Sequence, residues 1–180
     1  GRLSSIENYS VRWHTGRLPA DLLARKAQAG ASAQAGAPHP DKKMPIFSKK
    51  VVFIRHGETE WNLEHRTQGH LNSPLTERGI TQAKEAAEKL KKYKFDVIVS
   101  SHLGRAHETA KIIAERLGIS EIITDSSLLE RNLGILQGNI AEESKIKFPF
   151  LFKNGVLIHD AKIPNGELLE DFLARVRKGI

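Results

Sequence analysis

Val51-Val52-Phe53-Ile54-Arg55-His56-Gly57-Glu58-Thr59-Glu60-Trp61-Asn62 is the stretch whose reading decides the fold. Four apolar residues, Val51 to Ile54, have the length and β-branched character of a buried strand. They run directly into Arg55, His56 and Gly57. A strand that ends on an arginine and a histidine presents both at its carboxyl end, where open α/β sheets bind ligands. A glycine beside them lets the backbone turn and approach closely. An imidazole next to a guanidinium points to chemistry on an anion, most simply a phosphoryl group.

The rest of the chain sets bounds on that reading. A length of 180 residues suits one domain with a sizeable core. The hydrophobic share of 39% and charged share of 27% are those of an ordinary soluble globular protein. No run approaches the ~18 consecutive apolar residues of a membrane span, so no membrane partner is expected. Cysteine is absent, which removes disulfides, thiolate metal sites and cysteine nucleophiles. That agrees with a reducing compartment, and a cytoplasmic location is expected. The net charge of +7 is uneven: residues 1–43 carry seven Lys or Arg against three Asp or Glu. No basic stripe is interleaved with aromatics, so nucleic acid is not expected as a partner.

Residues 1–43 differ in character from the remainder. Ala27 to Pro40 is built from Ala, Gly, Gln, Ser, Pro and one His, with neither strand nor helix periodicity. The segment starts with Gly1, and the only methionine is Met44. Three readings stay open: a non-native or upstream-frame extension before a start at Met44, an organellar leader rich in Arg, Ser and Ala, or a natural disordered arm. Residues 44–180 are read as the folded domain.

Along that domain strands and helices alternate. Lys50 to Ile54 is a strand, and Pro74-Leu75-Thr76-Glu77 opens a helix with Thr76 as its N-cap. Ile80, Ala83, Ala87 and Leu90 recur at helical spacing. Phe95 to Val99 is a second strand, and Arg105 to Leu117 a second helix stopped by Gly118. Ile119 to Ile123 reads as a short third strand, residues 141–164 as irregular or weakly helical, and Glu167 to Val176 as a late helix. The order predicts an α/β fold, three layers of α/β/α around a mainly parallel sheet.

Three residues carry the chemistry. A neutral imidazole at His56 can attack phosphorus if one ring nitrogen is free and the other is held, commonly by a backbone carbonyl. A solitary strand-end histidine would ordinarily only pack or titrate; the neighbours of His56 favour catalysis. Arg105 follows the second strand through Ser100-Ser101-His102-Leu103-Gly104, which places another cation at a strand's carboxyl end. Taken alone it would be a solvated arginine, but with Arg55 it can clamp a phosphate from two sides. Glu130 follows the third strand in Ser127-Leu128-Leu129-Glu130-Arg131-Asn132-Leu133-Gly134. A carboxylic acid there can protonate a departing alkoxide and then deprotonate water; the plainer reading is a surface Glu paired with Arg131.

Taken together, these segments resemble the histidine phosphatase superfamily, the phosphoglycerate mutase-like proteins. Arg55-His56-Gly57-Glu58-Thr59-Glu60-Trp61-Asn62 is similar to the family signature, and Asn72-Ser73-Pro74-Leu75-Thr76-Glu77-Arg78-Gly79 to the entry of its first long helix. Ser100 to Ala110 resembles its second arginine motif, and Leu129 to Gly134 with Gln137-Gly138 its acid motif. Pro164-Asn165-Gly166-Glu167 with Leu169 to Phe172 resembles the stretch before its late helix. Five motifs in order, over Lys50 to Ile180, make a specific match. The resemblance implies that His56 is the phosphorylated nucleophile, that Arg55 and Arg105 bind the phosphoryl group, and that Glu130 is the proton donor. It places Asn62, Gln68, Gly69 and Arg131 on the substrate side. Glu58, Thr59 and Trp61 are read as structural. His65, His70, His102 and His107 are read as loop or helix-surface residues, with His102 nearest the rim. Neither a metal nor a cofactor is required by this chemistry.

The resemblance breaks near the end of the sequence. The family has a second catalytic histidine in a Ser-His-Gly or similar turn after a later buried strand. After Pro164 there is no histidine, and the sequence stops at Lys178-Gly179-Ile180 inside an expected helix. The chain is thus expected to lack the C-terminal part of the fold and to be weakly active or inactive as it stands. The expected function is hydrolysis of a small phosphorylated metabolite through phosphohistidine. The alternatives are a bisphosphoglycerate-dependent phosphoglycerate mutase, an isomerase, and an inactive phosphate-binding fragment or pseudoenzyme. Only residues 139–163 separate Gly138 from Pro164, and their basic residues are four lysines, Lys145, Lys147, Lys153 and Lys162, which favours the phosphatase. A homodimer is compatible with the sequence.

Overall fold

A computed structural model describes residues 12–15 and 50–179. Its contacts divide the chain into two compact units, one containing the first two strands and the other formed by Arg55–Arg177. In the first, strands β1 (Arg12–Thr15) and β2 (Lys50–Phe53) pair antiparallel, with Arg12 opposite Phe53 and Thr15 opposite Lys50. β1 falls within residues 1–43, so those four residues form a strand. The rest of residues 1–43 lies outside the described residues.

The unit Arg55–Arg177 carries the alternation the sequence predicts. A short helix α1 (Glu60–Leu63) begins inside the signature, capped by Thr59. Helix α2 (Glu77–Leu90) leads to strand β3 (Ile98–Ser100), then helix α3 (Gly104–Leu117) and strand β4 (Ile122–Thr124). β3 and β4 are parallel, with Ile98 opposite Ile122 and Ser100 opposite Thr124. Helix α4 (Ala141–Lys147), a hairpin of β5 (Phe152–Lys153) and β6 (Val156–Leu157), and helix α5 (Leu169–Gly179) complete the order. The fold is α/β with a parallel strand pair. Among the described residues the parallel pairing is confined to β3 and β4, since β2 takes β1 as its neighbour.

Local chemistry explains these boundaries. Thr76 caps α2 as predicted, its hydroxyl accepting from the Gly79 amide at 2.9 Å. Gly118, with φ 68°, ends α3 in the left-handed conformation that glycine tolerates. α2 buries Ala83, Ala86, Ala87 and Leu90, and α3 buries Ala110, Ile113 and Ala114. These two helices pack together, and the small alanines let them approach closely. The region read as irregular or weakly helical contains α4, in keeping with the helical part of that reading, and the hairpin, which was not expected. Leu136, Leu151 and Ile163 form its buried core, with Phe148, Phe152 and Leu157 packed around them. Ile146, Phe150 and Val156 of the same region are exposed. Among the described residues no helix is long and apolar enough to cross a membrane.

Candidate active site

The chain leaves β2 at Phe53 and reaches His56 just past the strand end. The imidazole is held at both nitrogens. Nδ1 lies 2.7 Å from the Gly57 carbonyl, and because a carbonyl only accepts, Nδ1 carries the proton. Nε2 is then the lone-pair nitrogen, and it accepts from Arg105 Nε at 3.2 Å. Burial lowers the pKa of His56 below its ordinary 6.5; the Gly57 bond opposes that shift, and the charges of Arg105 and Arg55 reinforce it. The folded protein therefore keeps this imidazole neutral near neutral pH, in the tautomer a nucleophile needs.

Gly57 fixes this geometry through close contacts. A Cβ at Gly57 would collide with the backbone of Gly79 in the first turns of α2. The Gly57 amide donates to Thr109 Oγ1 at 3.0 Å, and that hydroxyl donates to the Arg105 carbonyl at 2.8 Å. The signature turn is thus pinned to both helices. Glu58 acts in the same scaffold: its amide donates to Gln82 Oε1 and its carboxylate accepts from Thr76 Oγ1, both at 2.9 Å.

Arg105 sits in the first turn of α3, only 3% exposed. Its guanidinium is fully directed: Nε to His56, one terminal nitrogen to the Leu71 carbonyl at 2.8 Å, the other to the Gly69 carbonyl at 2.9 Å. Its backbone amide donates to Asn72 Oδ1 at 2.8 Å, so Asn72 supplies the cap that Leu103 cannot. Burial lowers the Arg105 pKa, the charge of Glu130 opposing and that of Arg55 adding to the effect, but a guanidinium remains cationic at physiological pH. Arg55 is exposed, with no hydrogen bond among the described residues, and lies close enough to act electrostatically on both His56 and Arg105.

Glu130 approaches the same cluster, its charge acting on His56 and Arg105. It is exposed, and its Oε1 accepts from the Arg131 amide at 2.8 Å. The Arg131 side chain points the other way. It is 7% exposed, and its three nitrogens donate to the carbonyls of Glu167, His159 and Ala161 at 3.0–3.1 Å. Arg131 therefore corrects both sequence expectations: its guanidinium neither lies open to substrate nor pairs with the Glu130 carboxylate. It ties the acid segment to the loop before α5.

The remaining predicted residues divide. The Asn62 carbonyl oxygen is occupied by the Thr59 amide and hydroxyl, both at 3.0 Å, as the third helical residue of a capping box. Gln68 is buried and donates to Thr59 Oγ1 at 2.8 Å, while its Oε1 has no partner among the described residues. Gly69, at φ 54°, turns its carbonyl to Arg105, and a Cβ there would strike the Gln137 side chain. His65 and His102 are exposed. His70 and Arg175, by contrast, reach the acid segment. His70 Nε2 lies 2.7 Å from the Glu130 carbonyl. Arg175 donates to the carbonyls of Ser126, Ser127 and Leu129 at 3.0–3.1 Å and to that of Glu130 at 3.3 Å, while pairing with Glu167. Periodicity marks neither, because their partners lie tens of residues away. Among the described residues no group of three or more His, Cys, Asp or Glu is placed to hold a metal.

Known proteins place this arrangement in a family. The profile of the Histidine phosphatase superfamily (branch 1) matches residues 51–180. A probable phosphoglycerate mutase, GpmB of Escherichia coli, is 39% identical over 135 residues, 73% of this chain and 61% of that protein. Phosphoglycerate mutase-like protein 4 of Arabidopsis thaliana is 48% identical over 100 residues, 54% of this chain and 44% of its own. A mycobacterial glucosyl-3-phosphoglycerate phosphatase solved with VO3 superposes with a TM-score of 0.59 at 37% identity, covering 68% of this chain and 58% of that one. YhfR of Bacillus stearothermophilus superposes with a TM-score of 0.61 at 36% identity, covering 67% and 60%. The matched region thus spans about half to three fifths of the length of these relatives. With five ordered motifs, a profile match across the described domain and a fold shared at this identity, the chain belongs to the histidine phosphatase superfamily.

Proposed function

We propose that the protein encoded by this chain is a phosphomonoester hydrolase that acts through a phosphohistidine at His56. The observation that carries the reading is the fixed tautomer: Nδ1–H on the Gly57 carbonyl leaves the Nε2 lone pair facing Arg105. A phosphoryl group entering between His56, Arg105 and Arg55 meets a nucleophile and two cations together. Nε2 attacks phosphorus, the ester P–O bond breaks, and the leaving oxygen takes a proton from Glu130. Water then attacks the phosphohistidine and gives its proton to the Glu130 carboxylate. The P–Nε2 bond breaks, and phosphate leaves.

A small phosphorylated metabolite is the proposed substrate class, in keeping with the relatives named as a glucosyl-3-phosphoglycerate phosphatase and a probable phosphoglycerate mutase. Hydrolysis is preferred over mutase chemistry because the segment between the acid motif and Pro164 folds as α4 and a short hairpin. Among its residues only lysines add positive charge for a second anionic group. The mutase reading is kept by the phosphoglycerate mutase-like names of the relatives. Incubating the protein with phosphoglycerates and with a panel of sugar and alkyl phosphates separates the two. Release of inorganic phosphate is expected. Isomer interconversion without net phosphate release would replace hydrolase by mutase.

A further inference from the structure

We infer that His70 is a positioning residue for Glu130, holding the acid at a fixed distance from the His56–Arg105 pair. The inference rests on the phosphohistidine reading above. Residue 70 lies between two carbonyls, Gly69 and Leu71, that both accept from the Arg105 guanidinium. Its backbone is therefore locked to the cation that touches His56. Its side chain bonds the Glu130 carbonyl at 2.7 Å. The partner is a carbonyl, so Nε2 is the donor and carries the proton. The His70 amide donates to Gln137 Oε1 at 2.6 Å, and that same oxygen accepts from the Leu133 amide at 3.2 Å. Residues 69–71 thus hold the nucleophile's partner on one side and the acid segment on the other, through one imidazole and one amide.

Glu130 needs such a brace because it is exposed and its only described side-chain bond is to the neighbouring Arg131 amide. Arg175 reaches the same Glu130 carbonyl, at 3.3 Å, but from α5 and not from the Arg105 loop. His70 is the direct side-chain link between the loop that Arg105 grips and the backbone of the acid. A proton donor displaced by about 1 Å loses much of its effect.

The test separates acid alignment from nucleophile function by leaving group. An alkyl phosphate needs its departing oxygen protonated, whereas 2,4-dinitrophenyl phosphate departs as a stable anion without help. Rates of His56 phosphorylation by the two esters are compared in the parent chain, His70→Ala and His70→Gln. In His70→Ala the alkyl phosphate rate is expected to fall about 30-fold or more, with the dinitrophenyl phosphate rate within about 3-fold of the parent. His70→Gln, which keeps an N–H donor, is expected to recover most of the loss. The ratio of the two rates on one preparation does not depend on the folded fraction, so partial unfolding of a variant does not mimic the effect. An unchanged ratio in His70→Ala would overturn the inference alone. A full-length protein that is phosphorylated by neither ester would overturn the phosphohistidine reading and this inference with it.

Discussion

Arg105 and Arg131 are both almost fully buried, both stand in motifs, and both direct every guanidinium nitrogen to an acceptor. They nevertheless do different work. Among the described residues Arg131 donates only to main-chain carbonyls, and no other side chain shares its guanidinium. Arg105 donates to two carbonyls and spends its third direction on the His56 imidazole. A buried guanidinium bonded only to carbonyls is a staple; one that keeps a bond to an imidazole lone pair is a staple with a vacancy for an anion. Phosphate arriving at His56 can take over the Arg105 Nε–H without unravelling the two carbonyl bonds that hold the loop.

That comparison is broken most forcibly by exchanging the two arginines for residues that keep bulk. Arg105→Lys keeps the charge but not the planar fork, and cannot serve His56, Gly69 and Leu71 in the same geometry. Phosphorylation of His56 is expected to slow by about 100-fold, measured by rapid quench. Arg131→Met should instead leave three carbonyls short of a donor, costing on the order of 3 kcal/mol in urea unfolding. The phosphorylation rate per folded molecule should stay within about 3-fold. Equal slowing in the two variants would mean that Arg131 also serves the anion.

Arg55 sharpens the same contrast from the exposed side. It has no hydrogen bond to lose among the described residues, so Arg55→Ala should leave the unfolding midpoint unchanged. The concentration of phosphate ester giving half-maximal rate should rise about 10-fold, as a lost charge-assisted contact implies. A drop in stability instead would make Arg55 a structural cation.

The smallest expected effect concerns the Arg175–Glu167 pair behind the acid segment, 2.8 Å apart with both side chains mostly buried. The Arg175 hydrogen bond holds the Glu167 pKa below its ordinary 4.5, burial opposing and the Asn132 amide assisting. A carboxylate depressed in the folded state contributes stability that is present above the unfolded value and lost as pH falls through the folded one. Unfolding free energy should therefore decline below pH 4.5 by on the order of 1 kcal/mol more in the parent than in Glu167→Gln. Parallel pH curves would show that the pair adds nothing.

The sequence made one half of this site readable and hid the other. His56, Arg55 and Arg105 were legible because each follows a strand or opens a helix at a carboxyl edge, where position along the chain dictates position in space. The Thr76 cap and the Gly118 stop were legible for the same reason, since both are local. Arg131 was misassigned because it neighbours Glu130 in sequence, yet the acid side chain is exposed and the arginine buried. His70 and Arg175 were missed because each bonds a backbone carbonyl, an acceptor with no residue identity, 60 and 45 positions away in sequence. Helix α4 and the hairpin were underread because elements of seven and two residues carry too few turns for a periodic signal.

The central claim is that His56 Nε2 is the atom that takes the phosphoryl group, and trapping it is the most direct measurement. The protein is mixed with a radiolabelled phosphate ester, quenched in alkali, digested and sequenced by mass. The account predicts one acid-labile, alkali-stable phosphate on His56 and none in His56→Asn. A labelled serine or carboxylate, or the same label in His56→Asn, would contradict it.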